Sequence, residues 1–278
     1  MVALQIVSDL HLEAPKSYDT FEITPKAPHL ALLGDIGCCS RDKDELLAFL
    51  LRQLAQFKTV FFVLGNHEPY HSTWANAKNA LREFEDFVAK KIHVNGSDNI
   101  GQLVFLDRIQ FDLDDELHED GGEKGENVTI LGCTLFSRVP FKSSQDVGFG
   151  LNDFYHIRDW SVEAHDNEHK DDLAWLNERV KELEGKGRKI AILTHYSPTM
   201  AGKAVNPRHK DSKVAAGFAT DLREEPCWKS EDVKLWAFGH THYNCDFTDE
   251  LGKRVCTNQR GYAFEQAPGF DVEKVVNI

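Results

Sequence analysis

Aspartate, asparagine and histidine recur in this sequence where an apolar run has just ended. Asp9-Leu10-His11 follows residues 4–8, Gly34-Asp35 follows 29–33, and Gly65-Asn66-His67-Glu68 follows 60–64. His195 follows 189–194, and Gly239-His240-Thr241-His242 follows 235–238. Oxygen and imidazole donors of this kind, without cysteine, suit borderline-hard divalent ions such as manganese, iron or zinc. The i, i+2 spacing in Asp9/His11 and in His240/His242 aims both side chains of a pair to one side, provided the backbone is extended. The glycines suit tight turns and close backbone approach. One Asp-x-His or Gly-Asp alone is usually a turn or a cap. Donors after every one of these runs imply a metal site.

The runs read as strands, and helices alternate with them. Residues 60–64 are apolar throughout, as in a strand covered on both faces. Helical spacing marks 43–57 (Leu46, Leu47, Leu50, Leu54, Phe57), 72–90 (Trp74, Ala77, Leu81, Phe84, Val88) and 170–184 (Leu173, Leu176, Val180, Leu183). Residues 103–106, 108–113 and 128–135 read as short strands. The alternation predicts a layered α/β architecture, and in such sheets sites form at the carboxyl ends of strands. With no repeat and no Pro- or Ser-rich linker, residues 1–278 are expected to form one domain.

Composition narrows the function. A chain of 278 residues with 41% hydrophobic and 10% aromatic content can bury a large core. No apolar run approaches the roughly 20 residues that span a bilayer. Residues 1–7 carry no basic region or cleavage site and read as a strand, so a cytoplasmic location is expected. The 6 cysteines are scattered, without a C-x-x-C, and are expected to be reduced. A net charge of -13 disfavours bulk nucleic-acid binding. Much of that charge lies in residues 112–126, read as a solvated, mobile acidic loop with Gly121, Gly122 and Gly125.

The ordered set Asp9-x-His11, Gly34-Asp35, Gly65-Asn66-His67-Glu68, His195 and Gly239-His240-x-His242 resembles the signature of the calcineurin-like metallophosphoesterases. The resemblance implies a four-layer sandwich of two mixed β-sheets flanked by helices. It implies a first metal held by Asp9, His11 and His242, a second by Asn66, His195 and His240, and Asp35 shared between them. His67 is similar to the family's catalytic histidine, which contacts the phosphate and protonates the leaving oxygen. The implied activity is hydrolysis of a phosphodiester or phosphomonoester, on a small or terminal substrate, by in-line attack of a metal-bridging hydroxide. Two divalent ions would outweigh Asp9, Asp35 and that hydroxide by about one positive charge, which attracts phosphate and stabilises its transition state. No Ser or Cys nucleophile is then required. The serine/threonine protein phosphatase branch differs: it has Arg before Gly-Asn-His-Glu and Asp-Arg-Gly after Gly-Asp, where this chain has Leu64 and Gly37-Cys38-Cys39.

Other readings compete for the same residues. His67-Glu68-Pro69-Tyr70-His71 matches the zinc-protease H-E-x-x-H pattern, but that chemistry needs both histidines on one helix, and Pro69 pushes Glu68 out of the helical region. Glu68 either orients or tunes His67 as a neighbouring carboxylate, or it faces solvent or caps the helix beginning near Ser72. A catalytically inactive family scaffold that binds a protein partner is the alternative function. Substrate contacts are expected from Asn152, His156 and Arg158, in a segment where Asn152-Asp153-Phe154-Tyr155 resembles one family subgroup. The basic stretch 199–221, with Lys203, Arg208, His209, Lys210 and Lys213, is either a solvated loop or a lid. His165 and His169 read as a solvent-facing i, i+4 pair.

Overall fold

The computed structural model describes residues 1–95, 100–113, 127–209 and 211–278. The acidic segment beyond Leu113 and Lys210 of the basic stretch lie outside the described residues.

Two mixed sheets form. The first is built from β1 (Ala3–Val7), β2 (His29–Leu33), β3 (Thr59–Val63), β4 (Gln102–Phe105) and β13 (Val275–Asn277), in the order β13-β1-β2-β3-β4. Its strands β1 to β4 run parallel, and β13 closes one edge antiparallel to β1. The second holds β5 (Ile109–Leu113), β6 (Val128–Cys133), β7 (Lys189–Thr194), β8 (Val233–Phe238), β9 (Asp246–Thr248) and β10 (Arg254–Thr257), in the order β5-β6-β7-β8-β10-β9. Its edge strands β5 and β9 are antiparallel to their neighbours. A short hairpin of β11 (Gly261–Tyr262) and β12 (Glu265–Gln266) follows.

Because side chains alternate along a strand, each sheet has two apolar faces to cover. Leu4, Ile6, Ala31, Leu33, Phe61 and Val63 from the first sheet meet Val128, Ile130, Ala191, Leu193, Leu235 and Ala237 from the second. Their neighbours in sequence, including Val7, Leu32, Phe62, Leu131, Ile192 and Trp236, point outward into a second apolar layer. There they meet α1 (Lys43–Leu54), α2 (Trp74–Asn95) and, after the short helices α3 (Ser144–Gly150) and α4 (Asp153–His156), α5 (Val162–Leu183). The result is helix, sheet, sheet, helix, as the resemblance implied. Among the described residues no helix is long and apolar enough to cross a membrane, and all the cysteines are free thiols.

The most instructive departure is α5, which begins well before the expected 170–184. Its buried stripe is His165, His169, Asp172, Leu176, Val180 and Leu183, so helical periodicity is present but its first half is polar. His165 and His169 are therefore buried, not solvent-facing. They serve the bend after β6, where Leu135 and Phe136 adopt positive φ of 74 and 49. His165 Nε2 accepts the Ser137 N–H at 3.0 Å, His169 Nδ1 donates to the Leu135 carbonyl at 2.8 Å, and Asp172 accepts the Leu135 N–H at 2.7 Å.

An acceptor ring must be neutral, and burial, with the charge of His169 adding to it, lowers His165 from 6.5 to about 3. A depressed histidine contributes stability that is complete above the unfolded value of 6.5 and is lost as pH falls toward 3. The loss is expected to reach about 2 kcal/mol near pH 5. Urea midpoints at about pH 7.5 and pH 5 check this. In His165→Gln, whose amide oxygen still accepts from Ser137, the drop should be smaller than in wild type; an equal drop would assign the acid sensitivity elsewhere.

Candidate metal centre

The carboxyl ends of β1, β2 and β3 meet those of β7 and β8 at one end of the sandwich. The loops after them carry Asp9 and His11, Asp35, Asn66 and His67, His195, and His240 and His242. The expected extended i, i+2 geometry does not occur. Asp9, His11, Asp35, His240 and His242 have φ of 53, 47, 53, 68 and 46, left-handed conformations that non-glycine residues seldom adopt. Each costs on the order of 1–3 kcal/mol and persists only where the surroundings impose it. One such constraint is the contact between turns: a Cβ on Gly65 would lie 2.2 Å from Asp35 Oδ1, and one on Gly34 would lie 2.4 Å from His195 Nδ1.

The donors fall into two groups. Ligand atoms of Asp9, His11 and His242 lie within 4.8 Å of one another, and so do those of Asp35, His195 and His240. His11 Nε2 is 2.9 Å from His242 Nε2, and His242 Nε2 is 3.3 Å from Asp9 Oδ1. Asp35 faces both groups, with Oδ2 3.9 Å from His11 Nε2 and Oδ1 3.5 Å from His195 Nε2. Asn66 Oδ1 is 3.0 Å from His195 Nε2.

A divalent cation fits this arrangement. His195 Nδ1 donates to the Leu33 carbonyl at 2.8 Å, which leaves the Nε2 lone pair aimed at Asp35 and Asn66. His240 Nε2 is buried and has no hydrogen-bond partner. The carboxylates tell the same story. Burial pushes Asp35 well above the usual range, and Glu68 and Asp9 add to that against the charge of His67. At Asp9 burial also acts upward, but the His242 hydrogen bond and the surrounding histidines overcome it and hold the group low. Orphan lone pairs beside crowded buried carboxylates are what a cation would satisfy.

Glu68 plays neither expected part. It is fully buried, and its oxygens accept the N–H groups of Asp35 at 3.1 Å, Ile36 at 2.7 Å and Gly65 at 2.7 Å. It thereby ties the β2 loop to the β3 loop. Burial raises it to about 7 despite those bonds. The segment from Gly65 to Ser72 is turns, and His71 has φ 64, so no helix presents His67 and His71 together.

A cleft of about 550 Å³ opens over the centre, with Asp35, Asn66, His67, His240 and His242 among its lining residues. The 199–221 stretch contributes one wall, including Met200, Arg208, His209 and Phe218, and the β11–β12 hairpin contributes Tyr262 and Gln266. Asn152 lines this cleft. His156 and Arg158 are exposed and are not among the lining residues; His156 packs 5.2 Å from the Tyr70 ring, and Arg158 gives its backbone N–H to Ser72. A cavity of about 970 Å³ between α1, α2 and β4 brings together Leu54, Val88 and Ile92, and among the described residues that line it there is no histidine.

Two residues near the centre escaped sequence reasoning. Glu13 lies two positions after His11 and accepts from His67 Nδ1 at 2.8 Å. Asp153, adjacent to Asn152, is buried and accepts from Asn66 Nδ2 at 2.8 Å and from the Tyr70 hydroxyl at 2.8 Å. The amide of Asn66 is thus held with its carbonyl toward His195. Asp153→Ala is expected to weaken divalent-ion binding about 10–100-fold, while Asp153→Asn, which keeps an acceptor oxygen, should lose less. Titration calorimetry with manganese checks this; wild-type affinity in Asp153→Ala would mean that Asn66 needs no such support.

The family model described as calcineurin-like phosphoesterase matches residues 5–244. An uncharacterized protein, L509, of Acanthamoeba polyphaga mimivirus is 26% identical over 287 residues, covering 96% of this chain and 93% of that protein. Among solved structures, the phosphopantetheinyl hydrolase of Mycobacterium tuberculosis superposes with a TM-score of 0.64 at 15% identity, over 94% of this chain and 89% of that one. GAP50, the anchor in the inner membrane complex of Plasmodium, superposes with a TM-score of 0.53 at 11% identity, over 99% and 77%. At these identities the two structures are evidence of shared fold alone.

Proposed function

Since this chain belongs to the calcineurin-like phosphoesterase family, we propose that it is a dinuclear metal-dependent hydrolase of phosphodiester or phosphomonoester bonds, with residues 1–278 as one catalytic domain. The observation that carries this reading is the pair of donor groups with Asp35 facing both, beside the orphaned Nε2 of His240. Asp9, His11 and His242 would hold one ion, Asn66, His195 and His240 the other, and Asp35 would serve both. When bound, such ions supply Lewis acidity toward the phosphoryl oxygens and activate water for in-line attack.

The chain's own side chains do the rest. His67 lines the cleft and presents Nε2, with its Nδ1 engaged by Glu13. Burial lowers its proton affinity, but Asp35 and Glu13 outweigh that and raise it to about 9 in the ion-free protein. With Nδ1 donating to Glu13, a protonated ring can pass its other proton from Nε2 to a leaving oxygen. The left-handed ligand loops fix the donors in place before any ion arrives, which reduces reorganisation on binding. A cleft of about 550 Å³ exceeds what a bare phosphate needs, and this favours an ester with a sizeable organic part. The neighbouring solved hydrolase, named for a phosphopantetheinyl substrate, is in keeping with that size class.

The test is a parallel assay of nitrophenyl phosphate and bis-nitrophenyl phosphate with manganese, nickel, zinc and magnesium against chelated protein. Hydrolysis that ignores the metal would overturn the proposal. The shared fold with GAP50 makes a binding scaffold the second reading. Less than about one bound ion per chain after reconstitution, together with no turnover, would favour the scaffold.

A further inference from the structure

Glu13 belongs to neither donor group and does not line the cleft, yet it touches both the candidate ligand His11 and His67. Its Oε1 lies 2.8 Å from His67 Nδ1 and 3.3 Å from His11 Nδ1. Its Oε2 is buried without a partner. Glu13, His11 and His67 lie close enough together to suggest a third cation group. A carboxylate oxygen between two Nδ1 atoms can instead accept a hydrogen bond from each ring, and a ring nitrogen that donates has no lone pair left for an ion.

One carboxylate oxygen therefore sets the tautomer of two imidazoles. With Nδ1 protonated on both, Nε2 of His11 faces His242 at 2.9 Å, and Nε2 of His67 faces the Tyr262 hydroxyl at 3.3 Å. Packing holds the same orientations. His67 stacks on Tyr70 with ring centroids 4.3 Å apart, His11 stacks on Tyr262 at 4.3 Å, and the two histidines meet edge to face at 4.4 Å.

We propose that Glu13 is a positioning residue that aims Nε2 of His67 at the leaving oxygen of the phosphoester while orienting His11 toward the metal site. The proposal rests on the reading of His67 as the proton donor. In the step it serves, water oxygen forms the new P–O bond as the P–O bond to the alcohol breaks. The leaving oxygen takes its electron pair and the proton from His67 Nε2. The attacking water gives up a proton to solvent, and solvent reprotonates the ring.

The experiment compares wild type, Glu13→Ala, Glu13→Gln, His67→Ala and the double variant Glu13→Ala/His67→Ala. The substrates are methyl nitrophenyl phosphate, whose leaving group needs little protonation, and methyl phenyl phosphate, whose leaving group needs more. Glu13→Ala is expected to lower kcat about 10–100-fold for the phenyl ester and much less for the nitrophenyl ester, with KM nearly unchanged. Glu13→Gln should recover part of the loss, and Glu13→Ala should cost far less in the His67→Ala background than in wild type, leaving only its action through His11. Nitrogen-15 spectra of metal-free protein, recorded above the His67 value of about 9 so that the ring is neutral, should show hydrogen on Nδ1 in wild type and a mixture of tautomers in Glu13→Ala.

An equal loss on both esters, with bound metal depleted, would overturn the proposal in favour of an action through His11 alone or a third metal site. Unchanged ring signals in Glu13→Ala would overturn the part assigned to Glu13. A His67→Ala variant that slows both esters equally would instead overturn the proton-donor reading itself, so the two failures are distinguishable.

Discussion

Returning manganese to metal-stripped protein is expected to raise its thermal midpoint by about 5 °C per site filled at a hundred times its dissociation constant. Such binding is worth about 2.7 kcal/mol, because the folded chain holds a preformed site and the unfolded chain does not. The local electrostatics make the effect large. Asp9, Asp35 and Glu68 are buried together, and burial with mutual repulsion drives Asp35 well above its usual range. Cations held at these groups would relieve that repulsion, and the group that includes His240 would engage its unpartnered Nε2. Manganese is preferred to zinc here because the 6 cysteines would let zinc bind the unfolded chain and mask the shift. Asp35→Asn, which weakens the group shared by both sites, should shrink the shift. Calorimetric scans with chelator and with manganese provide the measurement; superimposable traces would mean that no cation site forms.

His67→Ala is expected to lower kcat for a phosphodiester about 10²–10⁴-fold, the usual contribution of a positioned proton donor. Manganese affinity should stay near wild type, because His67 engages Glu13 through Nδ1 and belongs to neither of the two donor groups around Asp35. Activity and ion binding therefore separate in this variant and fall together in Asp35→Asn. Single-turnover kinetics with a metal-binding titration read both quantities. A His67→Ala protein with full turnover would sink the assignment, and one that lost its metal would show His67 to be a ligand.

The legible parts of this protein share one cause. Residues 60–64 are apolar at every position because a central parallel strand is covered on both faces, and Gly65-Asn66 can follow because the turn must come close to its neighbours. Strand, glycine and donor type are local facts, so a layered α/β alternation and the candidate donors could be read from the chain, while the four-layer sandwich was implied by the resemblance those motifs carry. The first half of α5 could not. There the buried stripe is His165, His169 and Asp172, which looks like a solvated face until the bend at Leu135 and Phe136 is seen to need their hydrogen bonds.

The same limit applies within the site. Glu13 meets His67 across 54 positions of sequence, and Asp153 meets Asn66 across 87. Glu68, beside His67 in the chain, turns away from it to bind the N–H groups of Asp35, Ile36 and Gly65. Sequence determined which residues can bind a metal or carry a proton, because those are properties of side-chain type and of the element each one follows. Only the tertiary structure decided which carboxylate orients which ring, because hydrogen bonds in a buried site depend on where distant loops are brought together and on which backbone donors would otherwise remain unpaired.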